Sequence, residues 1–240
     1  MTSARTTSFD QTSPPGGGDA DHEHLAVHTS VPRVERPAPT TSGRVCTGCG
    51  QPSDWWGVDY LTRLLDRGGW ERQARTAVDR VLQEGDHLAL LIIDLDRFKA
   101  TNNICHPAGD AALRSAGTVL RMTTSPDHVV GRYGGDEFVV LLPRVGADVA
   151  TAVAGRIRYG IEHMTVTAVT VPGIPAIVLP PITASIGIAT YRLHRHRGLA
   201  DLVLDADTAL LQAKHRGGNQ ISVATHQQIR TVPQRVSNTD

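Results

Sequence analysis

Apolar positions are scattered over the first 57 residues and become periodic only beyond them. Residues 1–57 are rich in Ser, Thr, Pro and Gly, including Pro14-Pro15-Gly16-Gly17-Gly18, and offer too little apolar surface to offset ordering entropy. A disordered tail is predicted there. From Asp59 onward Leu61, Leu64 and Leu65 fall on one helical face, and Trp70, Ala74, Ala77, Val78, Val81 and Leu82 continue a helical spacing. The run Leu88-Ala89-Leu90-Leu91-Ile92-Ile93 reads as a buried strand. A polar loop to Asp110 and a helix over about 110–122, with Leu113, Ala116, Gly117 and Leu120 inward, follow. Apolar segments at 128–133 and 138–142 flank Gly134-Gly135-Asp136-Glu137, the pattern of a β-hairpin with a tight turn. A helix over about 147–162 precedes β-rich pieces at 164–171 and 181–190, joined by a connection around Pro172 and Pro175. A last helix over about 199–215 stops at Gly217-Gly218-Asn219, and a short strand at 221–223 and a polar tail over 225–240 complete the order. Helices mixed with hairpins predict an α+β sheet with helices packed on it and exclude regular βαβ alternation.

Composition narrows the function classes. A chain of 240 residues has room for one sizeable domain plus extras, placed here at 58–224. With 24 basic and 24 acidic residues, no overall field draws it to nucleic acid or an anionic membrane, so neither is an expected partner. No apolar run approaches a membrane span, and the first thirty residues lack the apolar core of a signal peptide. Three cysteines are too few for a disulfide framework, and a cytoplasmic setting is expected. Cys46 and Cys49 form half a zinc knuckle, for which His22, His24, His28 or a second chain would have to supply the other ligands. Two free thiols are the simpler reading, and zinc is not expected. Among the 24 basic residues only Lys99 and Lys214 are lysines, the residue type that binds phosphate as a compact point charge.

Two acidic pairs carry the candidate chemistry. Asp94 and Asp96 end one strand, and Asp136 and Glu137 sit at the hairpin tip. If these strands pair, the carboxylates converge at one sheet edge, as hard oxygen ligands for Mg²⁺ beside substrate phosphates. Gly134 and Gly135 would let a triphosphate approach the backbone.

The wider constellation resembles the GGDEF family, the diguanylate cyclases that condense two GTP into cyclic di-GMP with release of diphosphate. The resemblance runs from about Asp59 to Val223 through Asp59-Tyr60-Leu61-Thr62, Asp94-Leu95-Asp96-Arg97-Phe98-Lys99, the segment Asn102 to Asp110, Arg132 to Phe138, Ala184-Ser185-Ile186-Gly187, and Ala206-Asp207-Thr208-Ala209-Leu210 with Ala213-Lys214. It implies a palm-like, mostly antiparallel central sheet with surrounding helices. Asp94, Asp136, Glu137 and the Leu95 carbonyl match the metal ligands, for Mg²⁺ with Mn²⁺ as a substitute. Asp136 also matches the group that takes the proton from the attacking ribose hydroxyl. Asn102 and Asp110 match the guanine-reading pair, and Phe98, Lys99 and Lys214 match phosphate contacts. Catalysis would take two GTP-loaded protomers, hence a homodimer. The chain departs from the family pattern in three places. The Asn102–Asp110 segment is one residue short. Gly218 stands where an arginine is usual, with Arg216 the neighbour that would replace it. Ser125-Pro126-Asp127-His128 stand where the family has its R-x-x-D product site, so inhibition through that motif is not expected. The alternative is a weak or inactive module that binds GTP or a partner protein.

Overall fold

A computed structural model describes residues 57–169 and 176–225. The N-terminal tail with Cys46 and Cys49, the tandem Trp55-Trp56, the connection at Pro172 and Pro175, and the C-terminal tail from residue 226 lie outside the described residues.

The elements run α1 (Arg67–Glu84), β1 (Leu88–Leu95), α2 (Phe98–Ile104), α3 (His106–Thr123), β2 (Val129–Arg132), β3 (Glu137–Pro143), α4 (Ala147–Glu162), β4 (Thr167–Ala168), β5 (Ile177–Val178), β6 (Ala184–Thr190), α5 (Leu199–His215) and β7 (Ile221–Val223). Five strands form the main sheet in the order β2-β3-β1-β6-β7, while β4 and β5 pair separately. All pairings in the main sheet are antiparallel except β6 with β7. The expected α+β architecture with a mostly antiparallel sheet is present.

The central strand β1 is buried along its whole length, which explains its unbroken apolar run. Alternate side chains still serve different layers. Ala89, Leu91, Ile93 and Leu95 pack with α3 and α4, whereas Leu88, Leu90 and Ile92 pack with α1 and α5. Helix α1 starts where Asp66 accepts from the Gly69 amide at 2.7 Å and ends at Gly85 in the left-handed region. Its Trp70 is fully buried, donates from Nε1 to the Val129 carbonyl at 3.0 Å, and meets Tyr133 edge-on at 5.6 Å between ring centroids. Trp70 thereby anchors α1 to the hairpin.

Three sequence expectations are corrected. The face read from Leu61, Leu64 and Leu65 is not helical. Asp59 accepts from the Thr62 amide and hydroxyl at 2.8 and 2.7 Å, closing a turn that competes with helix, and the first helix begins at Arg67. The polar loop expected up to Asp110 is instead two helices, α2 and the start of α3, joined at Cys105 in extended conformation. No residue of α2 is buried, so it has no apolar stripe to read. Among the described residues of the β-rich piece at 164–171, the one strand is the two-residue β4, outside the main sheet.

Candidate active site

Strand register brings the predicted carboxylates together. Asp94 lies directly opposite Glu137 on β3 and Ser185 on β6. It continues the row Leu88, Leu90, Ile92, so its side chain projects to the face covered by α5. From that helix the Lys214 ammonium reaches Asp94 Oδ2 at 2.6 Å. Burial pushes the Asp94 carboxyl above the usual carboxylate range, Lys214 pulls it back, and Asp136 and Asp96 add to the rise. Burial likewise raises Glu137, followed by the charge of Asp94. Carboxylates that raise one another in this way favour a cation among them. Among the described residues no three His, Cys, Asp or Glu side chains form a ready-made metal cage, and the cation at Asp94 is the Lys214 ammonium. The donors themselves, all carboxylate and carbonyl oxygens, suit Mg²⁺ or Mn²⁺.

The hairpin tip is held by groups the motif alone does not reveal. The Tyr133 and Gly134 amides donate to the Glu137 carbonyl at 2.8 and 3.3 Å, and the Leu95 amide donates to the Asp136 carbonyl at 3.3 Å. Arg132 then donates to the Gly135 carbonyl from Nη2 at 2.7 Å and from Nε at 3.1 Å, and to the Gly134 carbonyl at 3.2 Å. Its Nη1 bonds the half-buried Asp59 carboxylate at 3.1 and 3.3 Å. One planar guanidinium thus clamps the tip and ties it to the 59–62 turn. The clue in the sequence was an Asp-x-x-Thr turn motif far from a lone Arg next to the glycines.

Asp96, the second acid of the β1 pair, has a different task. Its oxygens accept from Thr183 Oγ1, Ser185 Oγ and the Asn219 amide, each at 2.7 Å. Asn219, at φ +51°, also bonds Glu162 and Arg158 of α4. The corner after α5 is therefore fixed to β1, β6 and α4 together. Beside it lies a cavity of about 720 Å³ lined by Asp94, Arg97, Ile104, Ile182, Lys214 and Gly218, among others.

The remaining predicted residues cluster on the α2–α3 joint. Asn102 on α2 packs against Gly109, so closely that any Cβ at 109 would collide with its side-chain oxygen, and the next residue is Asp110. The structure thus brings Asn102 and Asp110 near each other despite the shortened segment. Neither lines the 720 Å³ cavity, and Asp110 pairs with Arg114 at 3.4 Å. Phe98 opens α2 and packs half-buried against the core, while Lys99 is exposed and outside the cavity. Gly134 and Gly135 are exposed at the tip. Arg216 does not take the place of an arginine at 218: it donates to the Ile221 carbonyl at 3.3 Å and lies outside the cavity lining. The segment at Ser125 to His128 closes on itself, the His128 amide donating to the Ser125 carbonyl and the Ser125 amide to His128 Nδ1, both at 3.1 Å.

A palm-like sheet that presents carboxylates, a lysine and a cavity at one edge defines an α+β domain of the nucleotidyl-cyclase type. The chain belongs to the GGDEF family: the family model for "Diguanylate cyclase, GGDEF domain" matches residues 57–220. Among curated relatives, the diguanylate cyclase DgcM of Escherichia coli K12 is 33% identical over 167 residues, covering 69% of this chain and 38% of that protein. The probable diguanylate cyclase DgcC of the same strain is 31% identical over 169 residues, covering 69% of this chain and 43% of the relative. The chain therefore spans less than half the length of these relatives. Among solved structures, the GGDEF domain of DgcB from Caulobacter crescentus in complex with c-di-GMP superposes with a TM-score of 0.65 at 26% identity, covering 71% of this chain and 94% of that one. Diguanylate cyclase SiaD of Pseudomonas aeruginosa, in complex with its activator SiaC, superposes with a TM-score of 0.61 at 30% identity, covering 70% and 61% respectively. No helix among the described residues is long and apolar enough to cross a membrane.

Proposed function

We propose that the chain is a diguanylate cyclase that condenses two GTP into cyclic di-GMP with release of diphosphate, using Mg²⁺ and acting as a homodimer in the cytoplasm. The observation that carries this reading is the cross-strand pair Asp94–Glu137 with Lys214 on its face, next to a cavity of nucleotide size. Family membership and relatives named as diguanylate cyclases support it.

In this reading Asp94, Asp136, Glu137 and the Leu95 carbonyl hold the metal. Bound magnesium neutralises phosphate charge and polarises the reacting phosphoryl group. Lys214 moves from Asp94 to the triphosphate, and Lys99 and the Phe98 amide add phosphate contacts. Asn102 and Asp110 read the guanine edge. Asp136 takes the proton from the 3′-hydroxyl as it attacks the α-phosphate of the facing GTP. Because each domain holds one GTP and the product is two-fold symmetric, two protomers must meet face to face.

The single-residue joint at Cys105 and Gly218 in place of arginine favour a second reading, a module that binds GTP without turning it over. Incubation with GTP and Mg²⁺, read by chromatography for cyclic di-GMP, separates the two. Product from the wild type that disappears in Asp136→Asn supports the enzyme; GTP binding without product supports the module.

A further inference from the structure

The charged groups that line the cavity beside Asp94 are unevenly engaged. Its lining includes two carboxylates and two cations: Asp94, Asp96, Arg97 and Lys214. Lys214 is engaged with Asp94 at 2.6 Å, and Asp96 is saturated by Thr183, Ser185 and the Asn219 amide. Arg97 is the one left over. Its guanidinium has no hydrogen-bond or ion-pair partner among the described residues, whereas Lys214 and Asp94 pair with each other and Asp96 accepts three hydrogen bonds.

The backbone at Arg97 is unusual as well. The residue caps α2 at φ +55°, in the left-handed region, where a long side chain is strained and where strained residues gather at working sites. Gly218, also in the lining, has φ +78°, and a Cβ there would stand 3.0–3.2 Å from the Asp96 carboxylate. A side chain at 218 would be strained and would press on the Asp96 carboxylate, which favours the glycine found there. Arg216 is turned to Ile221. A triphosphate entering the cavity would therefore meet one shared ammonium and one uncommitted guanidinium, whose planar fork suits phosphate oxygens.

The geometry points to Arg97 as a further cation of the phosphate cradle, beside Lys214 within the cavity, supplying from the β1–α2 junction the guanidinium that the Gly217-Gly218 corner lacks. The inference rests on the cavity being the GTP site. Arg97 then determines affinity for the polyphosphate rather than for the base.

The test is calorimetric titration with Mg²⁺ and α,β-methylene GTP, and in parallel with GMP, on wild type, Arg97→Gly, Arg97→Lys and Arg216→Ala. Glycine is chosen because it accepts a positive φ, so the guanidinium is removed while the fold is kept, as the thermal midpoint will verify. Arg97→Gly is expected to weaken the triphosphate analogue by roughly ten- to a hundredfold, as for loss of charged hydrogen bonds, with GMP affinity nearly unchanged. Arg97→Lys should fall between, Arg216→Ala should match wild type, and millimolar guanidinium ion should recover part of the loss in Arg97→Gly. Equal affinity of wild type and Arg97→Gly for the analogue, or an equal loss for analogue and GMP, overturns the inference while leaving the GTP site intact. Failure of the wild type to bind either ligand overturns the GTP-site reading itself.

Discussion

Lys214 Nζ lies 2.6 Å from Asp94 Oδ2, so the ammonium stands on the carboxylate that the metal reading requires. Asp94 is only 8% exposed and has the charges of Asp136 and Asp96 nearby, so this contact balances charge at the strand end. Lys214→Ala removes the balance. With chelator present, stability is expected to fall by about 1–2 kcal/mol, below the cost of breaking a fully buried pair because the Lys214 side chain is 38% exposed. Magnesium should recover more of the melting temperature in the variant than in wild type, because ion and ammonium compete for one carboxylate. Thermal melts with EDTA and with Mg²⁺ measure both; an identical magnesium effect in the two proteins rules the competition out.

Arg132 is the clamp on the hairpin tip. Arg132→Ala frees the Gly134 and Gly135 carbonyls and leaves Asp59 without its guanidinium, a loss of about 2–3 kcal/mol at a half-buried pair. Product formation is expected to drop at least about tenfold through mispositioning of Asp136 and Glu137. Arg132→Lys should not rescue it, because one ammonium cannot span two carbonyls and a carboxylate. Hydrogen exchange should quicken at the Tyr133 and Gly134 amides, which bond the Glu137 carbonyl; unchanged exchange there contradicts the clamp.

The loop into α5 predicts a defined pH window. Arg195 and His196 hold the Asp205 carboxyl down at about 2 through contacts of 2.6–3.0 Å. A lowered pKa stabilises the folded state at pH values above the ordinary aspartate pKa, and that contribution is lost as pH falls toward the folded value. Asp205→Asn should therefore be less stable than wild type by on the order of 1 kcal/mol at neutral pH, allowing for solvent screening of the exposed Arg195. The difference should shrink between about pH 4 and pH 2. Urea melts at several pH values give it directly, and a gap that stays constant down to pH 2 refutes the assignment.

Gly109→Ala places a methyl group where the Asn102 side chain now lies. Asn102 must swing away, and discrimination between GTP and ATP should fall by roughly tenfold or more, while inorganic triphosphate binds as before. Competition titrations with the three ligands decide it; preserved discrimination separates Asn102 from base reading.

How far the sequence was legible follows from what each segment buries. β1 and α5 were placed well because their inward positions carry strong apolar signals, Leu88 to Ile93 and Leu202, Ala206, Leu210. α2 leaves no helical stripe in the sequence because only its first residue, Phe98, packs against the core, and the Asp59–Thr62 turn mimics a helix because its leucines reach the core from a non-helical backbone. At the site, the convergence of carboxylates at one sheet edge was anticipated from two acidic strand ends, on condition that the strands pair; the register of Asp94 opposite Glu137 comes from the structure. The roles of Arg132 and Arg97 were not, because they depend on which carbonyls and cavity walls lie within reach and on a positive φ at residue 97, none of which leaves a spacing pattern.

The three hydrogen bonds into Asp96 bear on how any mutational survey of this edge should be scored. The Asp96 carboxylate accepts from Thr183, Ser185 and the Asn219 amide at once, whereas an alanine there would leave all three donors without this acceptor. Asp96→Ala would thus unfasten the corner that supports Gly218 and, through it, the end of α5 bearing Lys214. An inactive protein would result even if Asp96 never touches a nucleotide. In the proposed function Asp94 answers for the chemistry, whereas Asp96, two positions on, answers for the shape of the corner, and thermal melts of the two alanine variants separate the roles.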